Sequence, residues 1–282
     1  MGDVVDIIEE KVVAPAIAEQ DGTDGILMSG KESIVETIDA KLAALDPITL
    51  EEMSGIRLMN RIDTKFLVNV RNLPTLLEMA KQDYYVQQIG DLRKAFYRTL
   101  YYDTPEATMY VVHQDGKLNR QKIRVREYVE SNLMFLEVKK KNNKGRTSKK
   151  RITITDENVL HNEEAIAFLD EKSKFKMNEI DFRLRNSFFR ITLVNKEKSE
   201  RLTIDFNINF ENCVTGVKNT IPKLCIVEVK QDGNAHSHFK DYLASLRIKK
   251  RSISKYCLGM VLTDPSLKYN RFKEKIRYIN KL

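Results

Sequence analysis

From Arg57 onward, apolar and charged residues alternate with period two in one segment after another, which predicts β-strands. In Arg61-Ile-Asp63-Thr-Lys65-Phe-Leu-Val68 the charged Arg61, Asp63 and Lys65 share one face, and Ile62, Phe66 and Val68 fall largely on the other. A strand over Ala95–Tyr102 ends in the turn signal Asp103-Thr-Pro105. Arg120-Gln-Lys122-Ile-Arg124-Val-Arg126-Glu-Tyr128 then lines up Arg120, Lys122, Arg124 and Arg126 on a single face. Glu137, Lys139 and Lys141 share a face of the next strand. Asn142-Asn-Lys-Gly145 turns the chain, and Lys149-Lys-Arg151-Ile-Thr-Ile154 returns as the hairpin partner. Strands also follow over Phe188–Val194, over Arg201–Phe210 with strict alternation, and over Leu224–Lys230, where Glu228 and Lys230 face the same way.

Helical signals are interspersed. Pro74 opens Thr75–Lys81, residues 163–179 read as a helix, and another runs from about Ser237 to Leu246. Ser33-Ile-Val-Glu36 is a capping box for an amphipathic helix through Leu45, with Ile34, Val35, Ile38, Leu42 and Leu45 on one side. The pattern divides the chain into a partly helical leader at 1–47, a main domain at 48–265 and a basic helix at 266–282. The leader reads as a tether or docking segment for a membrane or protein partner, and the tail as a packed or solvated terminal helix.

Charge narrows the choice of ligand. The net charge of +8 and isoelectric point near 9.2 call for an anionic partner, with nucleic acid, phosphorylated metabolites and acidic membranes all open. Cys213, Cys225 and Cys257 form no CxxC pair, so neither a disulfide framework nor a zinc ribbon is signalled. With no secretory signal and no stretch of the ~20 apolar residues that a spanning helix requires, a cytoplasmic location is expected. His236-Ser-His238 at a helix start reads as a surface pair with no third ligand in sequence, and Walker, HExxH and GxSxG motifs are lacking.

Two arrangements satisfy the alternation: a sheet with its charged face in solvent, or an α+β fold with an antiparallel eight-stranded β tunnel, a closed barrel with a basic interior jacketed by helices. The repeated Arg and Lys at i and i+2 favour the tunnel, because guanidinium forks and ammonium groups match phosphate oxygens. The isolated acids Asp63, Glu137, Asp205 and Glu228 suit a divalent metal bound together with that phosphate.

Several of these motifs recur in order in a known family. Arg61-x-Asp63-x-Lys65-Phe, Tyr102-Asp103-Thr104, Lys122-Ile-Arg124-Val-Arg126-Glu-Tyr128, Glu137-Val-Lys139, Lys149-x-Arg151, Phe188-x-Arg190, Arg201-x-Thr203-x-Asp205, Glu228-Val-Lys230 and Ser254-Lys255-Tyr256 make the chain resemble the VTC polyphosphate polymerase domain of the triphosphate tunnel metalloenzymes. The resemblance implies that Lys65, Arg124, Arg126, Lys139, Lys149, Arg190 and Lys255 contact the triphosphate or growing chain. It makes Arg61, Arg120, Lys122, Lys141, Arg151, Arg201 and Lys230 further substrate contacts. Glu228 is the implied metal ligand, with Asp205 and Glu137 as additional candidates, for Mn²⁺ or Mg²⁺. The implied reaction moves the γ-phosphate of ATP onto inorganic polyphosphate and releases ADP. A tunnel-type tripolyphosphatase and a polyphosphate-binding module without turnover are the alternatives. RNA is disfavoured, since the Phe and Tyr residues mostly alternate to the apolar side instead of standing exposed for base stacking.

Overall fold

The computed structural model describes residues 33–54, 61–159, 162–233 and 235–282. The first 32 residues of the expected leader therefore lie outside it. In chain order the elements begin with α1 (Ile34–Ala43), β1 (Asp46–Ile48), α2 (Leu50–Ser54), β2 (Arg61–Asn69), α3 (Leu73–Ala80), β3 (Tyr84–Gln87), β4 (Ala95–Asp103) and α4 (Thr108–Gln114). The middle comprises β5 (Arg120–Tyr128), β6 (Leu133–Lys141), β7 (Thr147–Ile154), α5 (Glu163–Lys172), β8 (Asp181–Asn195) and β9 (Glu200–Asn212). The chain ends with β10 (Lys218–Ile221), β11 (Leu224–Asp232), α6 (His238–Ser245), α7 (Lys255–Thr263) and α8 (Lys273–Ile279).

One sheet of 11 strands carries the fold, with the main order β2-β11-β9-β8-β4-β5-β6-β7. The neighbours along this path are antiparallel, whereas β1 pairs parallel to β3. The expected closed eight-stranded barrel is thus corrected in two respects. The strand count is higher, and among the described residues no ladder joins β2 to β7. The outer edge of β2 is instead met by the segment before α7, through an isolated bridge from Phe66 to Lys250 and Arg251 N–H donating to Lys65 C=O at 2.8 Å. A bridge of this kind satisfies edge donors and acceptors without a full strand.

Burial separates the faces. Phe66, Val68, Ile191, Leu193, Leu202, Ile204, Val227 and Val229 form an outer core with Ile38 and Leu42 of α1, Leu76 and Leu77 of α3, and Phe239 and Leu243 of α6. Ser33 caps α1 in a complete capping box, so the residues of the expected helix behave as their spacing required, except that Val35 is exposed. A second outer core sets Leu100, Ile123, Val125, Leu136 and Val138 against Phe168 and Leu169 of α5. The expected helix over 163–179 is shorter, because Ser173 takes an extended conformation and only a 3₁₀ turn follows at Met177–Glu179. Among the described residues no helix is long and apolar enough to cross a membrane.

The inner face is graded. At one end Leu67, Ile208, Phe210, Leu224 and Ile226 pack against Tyr256, Cys257, Leu258 and Met260 of α7, with Phe272 and Ile279 of the terminal helical segment behind. A Cβ on Gly259 would come within 2.5 Å of Leu184 Cδ2 and Phe210 Cδ1, so glycine is what lets α7 lie this close to β8 and β9. The strict alternation expected over Arg201–Phe210 is broken within β9. Asn207 has φ +50° and forms a bulge against β8, so Phe206 points to the outer core while Ile208 and Phe210 point inward. The same strand therefore offers Thr203 and Asp205 to one part of the inner face and an apolar wall to the part that α7 covers.

Candidate functional site

Strand register brings the sequence-predicted cations onto the inner face. Lys65 of β2 lies opposite Glu228 of β11, and Asp63 opposite Lys230. Arg124 lies opposite Glu137, which in turn lies opposite Arg151, and Lys139 stands between Lys122 and Lys149 on the neighbouring strands. Arg190 lies opposite Asp205. Two residues per repeat give Arg120, Lys122, Arg124 and Arg126 a common face, and Lys141 and Arg151 share the faces of Lys139 and Lys149. Arg201 lies opposite Lys230 across β9 and β11, and the two cations repel. Arg61 belongs to β2, but its side chain lies outside the described residues.

Three carboxylates organise this chamber, each between two cations. Glu137, fully buried, accepts from Arg124 at 2.7 Å and pairs with Lys149. Asp205 receives a two-pronged contact from Arg190 at 2.6 and 2.8 Å and pairs with Lys255. Glu228 pairs with Lys65 and lies 3.4 Å from Lys230. Each group retains a surplus positive charge, so the carboxylates hold the cations in place without neutralising the chamber. Burial pushes the pKa of each carboxylate up, but the adjoining cations outweigh it and hold all three well below the usual range.

Further cations remain without a carboxylate. Arg126 is 8% exposed, forms no ion pair among the described residues, and leaves its Nε without a hydrogen-bond partner. Its guanidinium lies 5.7 Å from the Tyr97 ring centre. Lys122 Nζ donates to Ser254 Oγ at 2.6 Å, and Ser254 itself caps α7 by accepting from Cys257 N–H. The motif Ser254-Lys255-Tyr256 is therefore the start of a helix whose amino end faces the cations, where its dipole favours an anion. Lys139 is solvent-exposed and has no ion-pair partner among the described residues; partial desolvation and Arg124 lower its pKa against the opposing pull of Glu228. Lys230 is likewise lowered to about 8, by burial ahead of the opposing Glu228, and Lys255 to about 7, by burial ahead of the opposing Asp205. Lys139 on β6 senses the charges of Glu228 on β11 and Lys65 on β2 as well as those of its neighbours on β5.

Most aromatic rings lie on the apolar side, as in Phe66, Tyr84, Tyr102, Phe168, Phe206 and Phe239, but some do not. Tyr97, Tyr101, Tyr128, Phe135 and Phe188 belong to the inner face, where cations cover several of them. Arg190 lies 4.8 Å from Tyr97, Arg151 4.3 Å from Phe135, and Lys255 3.8 Å from Phe188. Tyr97, Tyr101, Phe135 and Phe188 are buried, so they act as stacking backs for cations and not as exposed platforms for bases. His113, on α4, shares a hydrogen bond between its Nδ1 and Cys257 Sγ at 3.0 Å, and burial together with Lys122 and Arg120 pushes its pKa down to about 2. Arg251 is drawn to the terminal helix, 4.2 Å from the Tyr278 ring and 3.3 Å from Glu274.

Among the described residues no three His, Cys, Asp or Glu donors converge inside the chamber. The convergent set is His236, His238 and Asp241 on the outer side. This corrects the expectation that the two histidines lack a third ligand.

The inner face thus carries more cations than carboxylates, and the guanidinium groups of Arg124 and Arg190 are held by acids, a chemistry that suits phosphate oxygens. The chain belongs to the VTC domain family, whose pattern it matches over residues 60–263. Comparison with curated proteins gave no significant match. Among solved structures it is similar to a putative adenylate cyclase from Vibrio parahaemolyticus, at 16% identity over 72% of this chain and 99% of that one, with a TM-score of 0.42. It is also similar to a putative adenylyl cyclase from Hippeastrum, described as revealing a dominant triphosphatase activity, at 15% identity over 74% and 100% with a TM-score of 0.44. At these scores neither likeness carries an argument about what this chain does.

Proposed function

We propose that this protein is a metal-dependent polyphosphate polymerase that transfers the γ-phosphoryl group of ATP onto the end of a polyphosphate chain and releases ADP. The observation carrying this reading is the surplus of positioned cations on the inner face, the buried Arg126 foremost, together with membership of the VTC domain family. The row from Arg120 to Arg126 extends roughly 20 Å at the strand rise of about 3.3 Å per residue. That is longer than three linked phosphates require, and it favours a chain over a lone triphosphate.

In the reaction, a terminal phosphate oxygen of the chain forms a bond to the γ-phosphorus of ATP. The bond to the β,γ-bridging oxygen breaks, and ADP leaves with that oxygen. The transferred group carries its charge on three oxygens, so positioned cations supply the catalysis and no side-chain nucleophile is needed. Arg124, Arg126 and Arg190 orient phosphate oxygens, and Lys65, Lys139, Lys149 and Lys255 balance developing charge. Arg120, Lys122, Lys141, Arg151, Arg201 and Lys230, with Arg61, extend the path of the chain. Glu228 stays ionised and suits Mg²⁺ or Mn²⁺, which take one or two carboxylates and complete their shells with phosphate oxygens and water. Such a metal would neutralise the β- and γ-phosphates of ATP.

Incubation of the purified protein with ATP and Mn²⁺, following ADP, free phosphate and long-chain polyphosphate together, tests this reading. ADP accompanied by polyphosphate and little free phosphate is the expected outcome. ADP matched by free phosphate would replace the chain end with water and make the protein a triphosphatase. Tight polyphosphate binding without turnover would make it a binding module.

A further inference from the structure

The end of β11 leads through Gly233, with φ +54°, into the cap of α6 at Ser237. His238 is the first residue of that helix and Asp241 lies three positions on, a spacing that sets both on one face of the first turn. His236, just ahead of the cap, folds back so that its Nε2 is 2.7 Å from Asp241 Oδ2. The two imidazoles stand 4.9 Å apart between ring centres and nearly perpendicular, at 89°. One donor atom from each of the three residues lies within 4.8 Å of the others.

We propose that His236, His238 and Asp241 form a binding site for a borderline transition-metal dication, Zn²⁺ above all, separate from the chamber. Two imidazoles and one carboxylate are the donors that Zn²⁺ selects, whereas Mg²⁺ and Mn²⁺ favour all-oxygen surroundings. Donors in a tetrahedral zinc site stand roughly 3.4 Å apart at bond lengths of about 2.1 Å. The donor atoms lie within 4.8 Å of one another, so reaching that geometry takes shifts of roughly an ångström, the wider pairs closing and the 2.7 Å contact of His236 with Asp241 opening. His236 and Asp241 are exposed, so the adjustment is a rotamer change that leaves the core undisturbed. Water fills the remaining position.

The site lies on the opposite side of the sheet from the chamber, because Phe239 and Leu243 of the same helix pack into the outer core. Metal binding would fasten residue 236 to the first turn of α6. That turn is already anchored by Phe239 N–H donating to Tyr84 Oη at 3.0 Å, and the Tyr84 hydroxyl donates to buried Glu200 at 2.7 Å. The zinc site therefore tightens a cover helix of the outer core and is independent of the polymerase reading.

The test is a titration of untagged protein with ZnCl₂, followed by imidazole NMR signals and by thermal unfolding. Of the 4 histidines, the signals of His236 and His238 should move together, reaching completion at one equivalent, while that of His113 stays fixed. The melting temperature should rise with Zn²⁺ in the wild type, and His238→Ala and Asp241→Asn should each weaken binding about tenfold or more. Unmoved His236 and His238 signals, or Zn²⁺ affinity unchanged in both variants, would overturn the assignment.

Discussion

Substituting Arg126→Met should raise the stability of the ligand-free protein while removing most of its affinity for tripolyphosphate. Arg126 is buried beside Arg124 and Arg190, burial and these neighbours lower its pKa, and its Nε has no partner. Placing a charge there without a matching carboxylate destabilises the fold, and an apolar side chain of similar length removes that strain. By analogy with buried ionic groups replaced by hydrophobic ones, the gain should be roughly 1–4 kcal/mol. Loss of a desolvated contact to phosphate should cost about 2–5 kcal/mol of binding, a fall of ~30-fold or more. Urea unfolding and calorimetric titration measure the two effects on the same preparations. A lower stability in the variant would mean that Arg126 is structural.

Glu137→Gln should act in the opposite sense on stability. The substitution keeps the shape but takes away the one fully buried charge between Arg124 and Lys149, with Arg126 also within its field. Breaking a buried pair by removing one partner typically costs about 3–5 kcal/mol, because the remaining cations are left uncompensated. Tripolyphosphate should return much of the loss, since it supplies the missing negative charge and binds only the folded state. Unfolding with and without tripolyphosphate checks both points, and a variant as stable as the wild type would contradict this role. In the wild type, burial raises the Glu137 pKa while Arg124, Arg126 and Lys149 lower it further, giving a depressed value overall. Its stabilising contribution is therefore present above the unfolded carboxylate pKa and lost only as pH falls through the folded one.

The strands were legible because burial on two different faces imposes a period of two that composition cannot hide. Lys122, Arg124 and Arg126 on one face, and Glu228 beside Lys230, follow from local spacing alone. Pairing across strands follows from register, which the sequence does not print. That is why the placement of Glu137, Asp205 and Glu228 each between two cations emerged only from the fold. The Asn207 bulge was concealed because Asp205-Phe-Asn-Ile-Asn-Phe210 alternates perfectly as written while φ +50° at one residue reverses the faces beyond it. The open seam was equally hidden, since whether β2 meets β7 depends on curvature accumulated over the whole sheet. The short strands β1, β3 and β10 carried too few residues to show a period. Asp241 escaped notice as a partner of His236 because helical geometry, not adjacency, brings it back to the cap.

Cations held in readiness for a phosphate chain are central to the proposed function, and their proton balance tests it most directly. Burial is the leading cause that lowers Lys230 to about 8 and Lys255 to about 7, so these ammonium groups are partly deprotonated near neutral or mildly alkaline pH. A bound polyanion favours their charged forms and raises those values, so binding must draw protons from solution. Calorimetric titration with tripolyphosphate at about pH 8, in buffers of different ionisation enthalpy, should show net proton uptake, and affinity should fall between about pH 7 and about pH 9. Binding without proton uptake, affinity that rises with pH, or no binding at all would contradict the account.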